Sequence, residues 1–465
     1  MNTQSVFATD ALLPSGWAKN VLISWDTQGV IQSVEALDPT TNSSALASVL
    51  KAKGPLLPGM PNLHSHAFQR GFAGLTEFKN HSQDSFWSWR EQMYQFALKI
   101  SPAQMLAIAK FLYIEMLQAG YTSVCEFHYL HHDINGQAYA DAATMAQCML
   151  QAAQETGIHI TLLPVLYQTS GFGGKAALSD QKRFLHSNQA MQKLLEQLSP
   201  ICQTQDAILG LAPHSLRAVT LDSLKDAIQG LNSLQPQSPI HIHIAEQMAE
   251  VNACLQWSGK RPVELLLDQI AINSRWCLVH ATHLNDSEIM DLAATGAVAG
   301  ICPSTESNLG DGIFNMPAWL AQQGAWGIGS DSHVCVNAAE ELMLLEYSQR
   351  LQVQQRNVIK HEPYHDVATS MMLSAVNGGA KASGRAIKGL AVGQSADFVI
   401  LDAEHFALAH LSRASQQLAG HIFASHRTSA IESVWVKGHN RIQNGQHVLS
   451  ALAQEQFIQV RKSLS

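Results

Sequence analysis

The chain has 465 residues, 46% of them hydrophobic and 14% charged, a balance that builds a sizeable core and excludes intrinsic disorder. A net charge of −8 without any basic tract excludes a nucleic-acid footprint, and no apolar run is long enough to span a membrane. Seven cysteines, an odd number with no CxxC spacing, fit reduced buried thiols; with no basic and apolar leader in MNTQSVFATDALLPSGW, a cytoplasmic protein is expected.

Residues 1–57 contain VLISWD and VIQSVEAL, alternating half-exposed strands separated by turn residues. From residue 58 the pattern changes to short apolar runs alternating with helical periodicity. The runs are LLPGMPNLH, TSVCEFHYL, HITLLPVLYQ, AILGLAPHS, IHIHIAEQ, WCLVHATHL, AVAGICPS and AWGIGSDS. Near-continuous apolar strands are buried on both faces, as a parallel sheet requires. Between them lie helices such as SPAQMLAIAKFLYIEMLQAG, with Ser101 as N-cap, Pro102 in the first turn and Gly120 near the C-cap. Eight such units predict an α/β fold, a (β/α)8 TIM barrel over residues 58–384. A doubly wound open sheet is the structural alternative, but the Gly-rich first turn it favours is missing. Residues 385–447, with GQSADFVILD and SAIESVWVKGHNRIQNG, return to alternating strands. They are expected to join residues 1–57 in one small β-sandwich domain, followed by a C-terminal helix over 448–465.

Barrels of this kind carry their chemistry at the C-terminal ends of the strands. There the sequence places His64-Ser65-His66 on the first strand, and His241, His243 and Glu246 on the fifth. His280 and His283 follow on the sixth, and Gly329-Ser330-Asp331 on the eighth. Residues i and i+2 of a strand share a face, so His64 and His66 can reach one ion. His243 and Asp331 complete three imidazoles and a carboxylate, a set suited to Zn²⁺ with an open position for water or substrate. Each piece has a plainer reading: HxH as a surface loop, His243 as a satisfied core residue, Asp331 as the N-cap of the following helix. Their joint occurrence at predicted strand ends favours the metal.

HSH, HIHIAE, VHATH and GSDS together resemble the amidohydrolase superfamily, and more narrowly its deaminase branch, which hydrolyses C–N bonds of amidine-like groups. The fourth strand, AILGLAPHS, lacks the metal-bridging lysine of many members, so the resemblance implies a single ion. Zinc is the expected metal, although the ligands also accept iron or another divalent cation. The resemblance implies that His64, His66, His243 and Asp331 hold it. Glu246 would shuttle protons, His280 would stabilise the attacking water or the tetrahedral centre, and Asp331 would help orient that water as a further catalytic residue. The plainer reading of Glu246 is a solvated residue opening the next helix.

The words HSHAFQRGFAGL, DSFWSWREQMY, PHSLRAV and SNLGDGIF resemble the formimidoylglutamate deiminase family of bacterial histidine degradation. That resemblance implies hydrolysis of N-formimidoyl-L-glutamate to N-formyl-L-glutamate and ammonia. It also implies substrate contacts from Gln69, Arg90, Tyr129, His214 and Arg217. Guanidinium binds carboxylate bidentately, so two arginines suit a small dicarboxylate, although either arginine alone reads as a surface ion pair. Two alternatives stand beside this reading: an aminohydrolase of the same branch acting on a purine- or pyrimidine-like ring, and a barrel scaffold without catalysis. Family members often form homodimers, which is the expectation adopted for assembly.

Overall fold

The computed structural model describes residues 4–38, 46, 49–77, 86–425 and 428–464. Strands β1 (Gln4–Leu13), β2 (Gly16–Trp25), β3 (Ile31–Ala36), β4 (Leu50–Lys51) and β5 (Leu56–Pro58) lead into β6 (Met60–Ser65). Strands β7 (Tyr121–His128), β8 (His159–Leu166), β9 (Ile208–Leu209) and β10 (Ala212–Pro213) follow. Then come β11 (Ile240–Ile244), β12 (Trp276–His280), β13 (Val298–Ile301) and β14 (Ala325–Ile328). The last three strands are β15 (Phe398–Leu401), β16 (Ile431–Val436) and β17 (His439–Gln443).

β6 to β10 pair in parallel, as do β11 to β14. Isolated bridges join the two sheets at both edges, Leu211 to Ile240 and Ser65 to Asp331. The eight apolar runs all fall on these strands; AILGLAPHS is split into β9 and β10 around Gly210, whose Cα faces the Pro239 carbonyl too closely for a side chain. Leu63, Cys277, Val279, Val298, Cys302 and Ala382 pack as one buried cluster, and β13 and β14 present Gly300 and Gly327 where a Cβ would strike Leu63.

Helices run between the parallel strands because chain leaving one strand must cross over to reach the next in the same direction. The helix α1 (Phe86–Ala97) is an excursion between β6 and the regular crossover helix α2 (Pro102–Gln118). Ser101 caps α2 in a capping box with Gln104; the C-cap is Ala119, with Gly120 just beyond it at φ 90°.

The two ends of the chain meet in a second sheet, ordered β17-β16-β15-β5-β1-β2-β3 with β4 beside β1. All eight strands are hydrogen-bonded into one continuous sheet over Val6, Ala8, Val21, Ile23, Trp25 and Phe398. β1 escapes a simple alternation reading because its buried positions slip in phase, from Val6 and Ala8 to Ala11 and Leu12. The final helix spans Ser450–Leu464; residue 465 lies outside the described residues. No described helix is long and apolar enough to cross a membrane.

Candidate metal centre and active site

His64 and His66 leave the end of β6, His243 lies on β11, and Asp331 follows β14. All four are buried, and their ligand atoms lie within 4.8 Å of one another. The Nε2 atom of His64 stands 3.0 Å from that of His243 and 3.1 Å from that of His66. Asp331 Oδ1 is 3.4 Å from His64 Nε2 and 3.3 Å from His66 Nε2. A tetrahedral ion with bonds of about 2.0–2.1 Å holds its ligand atoms roughly 3.3 Å apart, so these spacings fit a divalent cation. Burial keeps the imidazoles neutral: it lowers the His64 pKa to about 3 and depresses those of His66 and His243.

Backbone carbonyls orient two of the candidate ligands. His66 Nδ1 meets the Phe127 carbonyl at 2.9 Å and His243 Nδ1 that of His214 at 3.2 Å. With Nδ1 assigned as the donor in each, Nε2 offers its lone pair to the centre. Asp331 and His280 adopt left-handed backbone at φ 45° and 66°, as do Ala245 and Ala281 beside them. For non-glycine residues this costs about 1–3 kcal/mol each, and here it gathers at strand ends around one centre.

His280 sits beside the four ligands, with Nε2 3.7 Å from Asp331 Oδ2 and 3.6 Å from Glu246 Oε1. Its Nδ1 faces Glu306 Oε1 at 3.2 Å, and that oxygen also accepts from the Cys302 amide at 2.8 Å. Burial opposes charge on His280, yet Glu246, Glu306 and Asp331 raise its pKa well above the ordinary value. Burial pushes Glu246 up to about 7, a range suited to exchanging protons near neutrality. His283, the other histidine of VHATH, points elsewhere and reaches the Asp311 carbonyl at 2.7 Å.

A pocket opens beside these residues, lined by His66, His243, Glu246, His280 and Asp331 at one end. Gln69, Arg90, Tyr129, His214 and Arg217 also line it, so every substrate-contact candidate from the sequence faces the same space. Gln69 Nε2 donates to the Tyr129 hydroxyl at 3.0 Å. The Nε atoms of Arg90 and Arg217 are buried without a hydrogen-bond partner, and neither guanidinium pairs with a carboxylate among the described residues. Arg217 is only 7% exposed. A buried unpaired cation is costly, and a carboxylate ligand relieves that cost.

Several participants escape sequence reasoning. Tyr94 and Tyr167 line the pocket with hydroxyls 3.3 Å apart, and Phe184 packs against Tyr94, Tyr129 and Tyr167. Glu126 on β7 accepts from Ser65 Oγ and the Ala67 amide, both at 2.7 Å, and so anchors the HSH turn from beneath. Asp311 takes a hydrogen bond from Gln247, and its carboxyl lies within 4.8 Å of Glu246 and His280. Burial beside Glu246 pushes it up to about 9. The signal for Glu126 was visible as an acid inside an apolar strand, TSVCEFHYL. Glu306 lies on the short helix Pro303–Leu309 after β13 and Asp311 just beyond it, in positions whose direction only the fold sets.

The chain belongs to the amidohydrolase family, whose model matches residues 56–441. More narrowly, residues 3–39 match the N-terminal domain of formimidoylglutamate deiminase HutF. The chain is 44% identical to the formimidoylglutamate deiminase of Pseudomonas aeruginosa, over 98% of each chain. An amidohydrolase from Brucella melitensis of known crystal structure is 46% identical over 99% of each chain, with a TM-score of 0.93. A 5-methylthioadenosine/S-adenosylhomocysteine deaminase of Shouchella clausii is 26% identical, covering 88% of this chain and 86% of its own.

Proposed function

We propose that this protein is a metal-dependent deiminase that hydrolyses N-formimidoyl-L-glutamate to N-formyl-L-glutamate and ammonia in histidine degradation. The observation that carries the reading is the pair of arginines, Arg90 and Arg217, that line the pocket holding the histidine–aspartate cluster, each with a buried Nε lacking a hydrogen-bond partner. Two such cations complement a glutamate moiety and have no counterpart in a neutral ring. The likeness to the Pseudomonas aeruginosa deiminase and to the N-terminal domain of formimidoylglutamate deiminase HutF supports the same choice over a purine or pyrimidine substrate. A complete ligand set and acid/base pair weigh against a scaffold without catalysis.

Zinc is the metal this reading adopts, held by His64, His66, His243 and Asp331; a divalent cation there supplies Lewis acidity and lowers the pKa of a coordinated water to about 7. Glu246 takes the proton from the attacking water and returns it to the nitrogen that leaves. His280, held by Glu306, donates a hydrogen bond to the oxygen as the formimino carbon becomes tetrahedral. The tetrahedral hydroxyl gives up its remaining proton through the same Glu246 carboxylate to the leaving nitrogen, the carbon–nitrogen bond breaks, the oxygen becomes the formyl carbonyl, and ammonia departs with both protons of the water. Gln69, Tyr129 and His214 line the path along which the arginines hold the glutamate carboxylates, so catalysis here is largely positioning.

The same reading takes the joined parallel strands as a (β/α)8 barrel over residues 58–384. It takes the terminal sheet of 1–57 and 385–447 as a small sandwich closed over its apolar cluster, and the whole as a cytoplasmic homodimer. The test is ammonia release from N-formimidoyl-L-glutamate, with metal content measured on the same samples. Glu246→Gln should retain the metal and lose at least a hundredfold in kcat. Turnover at the normal rate in that variant would remove Glu246 from the chemistry.

A further inference from the structure

Arg90 and Arg217 come from distant parts of the chain, the one on α1 and the other after β10, yet both guanidinium carbons lie over one indole. Trp87 is 4.4 Å from the Arg90 carbon and 5.7 Å from that of Arg217, measured to its ring. Tyr94 adds a second aromatic face for Arg90 at 5.6 Å. We propose that Trp87 is a positioning residue for substrate specificity, one indole holding two like-charged guanidiniums side by side so that a dicarboxylate can bridge them.

The physical case rests on what a π-face does that an acid does not. A carboxylate would stabilise each guanidinium by occupying its N–H groups and cancelling its charge. An aromatic face attracts the cation through its quadrupole and leaves the in-plane donors free. The free donors are observed: both Nε atoms are buried and lack a partner. The guanidiniums also repel each other, so without a common anchor they would swing apart and be drawn towards the nearest acids. For Arg217 those are Glu250 and Glu246, whose charges already raise its pKa against the effect of burial. Arg217 capture by Glu246 would disable a residue assigned to proton transfer, so the indole also keeps the two functions apart. Its backbone is held in turn, since Thr169 Oγ1 donates to the Arg217 carbonyl at 2.8 Å. Trp87 itself is not among the residues lining the pocket, so it acts through the arginines.

This inference rests on the proposed dicarboxylate substrate, and its test separates the two. Trp87→Leu removes the π-face, and Trp87→Phe keeps one. In Trp87→Leu, KM for N-formimidoyl-L-glutamate should rise about tenfold or more with kcat within about twofold. KM for the side-chain amide, N-formimidoyl-L-glutamine, should rise much less, and Trp87→Phe should recover most of the loss. An equal loss on both substrates, a Phe variant no better than Leu, or a fall in kcat at unchanged KM would overturn the role. Glutarate binding by calorimetry reads the same anchor without turnover: wild type and Trp87→Phe should bind it, Trp87→Leu at least tenfold more weakly. If wild type binds glutarate but releases no ammonia from the formimino compound, the proposed reaction fails while the anchor stands. If wild type does not bind glutarate, the anchor fails.

Discussion

His66 and His243 each use one ring nitrogen to hold a backbone carbonyl, which leaves the other aimed at a shared point. That arrangement is half legible in sequence. The HSH spacing and the acid after the last apolar run point to three of the four residues that cluster here, because strand periodicity puts i and i+2 on one face. The supports are not legible, because Glu126, Glu306 and the two carbonyls belong to a neighbouring strand, a helix and a loop whose placement only the fold sets. The substrate residues divide likewise: Arg217 stands out as a charge in PHSLRAV, whereas Tyr167 and Phe184 look like ordinary apolar filler until the fold places them together. At this scale Arg217→Met is the sharpest discriminator. Losing a buried charge-assisted pair costs about 3 kcal/mol, so kcat/KM for formimidoylglutamate should fall about a hundredfold, mostly through KM. A ring deaminase would be nearly indifferent to the change, and steady-state kinetics decides.

Among the elements, the segments that follow β7 and β8 carry an unassigned histidine cluster. His131 packs edge-on against His186 with ring centroids 4.2 Å apart, His132 stacks on His186 at 4.8 Å, and His128 meets His131 at 5.3 Å. Arg183, fully buried beside them, donates to the His132 carbonyl at 2.8 Å and to the Ala97 carbonyl at 2.5 Å, tying the cluster to the end of α1. Burial, with smaller contributions from the neighbouring histidines and, at His128, from Arg183, lowers His128 to about 3 and His186 to about 4, and holds His131 well below its ordinary value. An unfolded chain titrates these groups near 6.5, so between pH 6.5 and about 4 it binds more protons than the folded one. Stability is therefore lost as pH falls through that window, by at most about 1.4 kcal/mol per pH unit for each group. His186→Phe should flatten the loss between pH 6 and 5 by about 1 kcal/mol per unit, read from urea midpoints. An unchanged slope would remove His186 from the acid response. The sequence shows HYLHH as a histidine-rich word and FLHS with a single histidine, and nothing in their spacing reveals that they converge.

Taken whole, the molecule couples its two ends twice. The terminal sheet joins β5 to β15, and the ring of parallel strands is linked through Ser65 and Asp331. Alternation and apolar runs make both halves readable, while the continuity of the terminal sheet depends on β1, where the buried phase slips. Because the proposed ion is gripped across the second junction, its removal should be felt globally. At a thousandfold excess over its dissociation constant, a bound ion adds about 4 kcal/mol. Stripping with a chelator should therefore lower Tm by several degrees, and stoichiometric zinc should restore it; a Tm indifferent to both would argue against these ligands.

The bond from Asn62 to Ser330 spans 268 positions and lies directly beneath the ligand set. In a chain made from its N-terminus, His64 and His66 emerge early and wait for an aspartate that arrives some seven-tenths of the way along the sequence. Closure at such high contact order is slow, and a cation cannot nucleate it, since no early segment holds the full set. The proposed set is complete only once residue 331 has been made, so a chain ending before it cannot assemble the site.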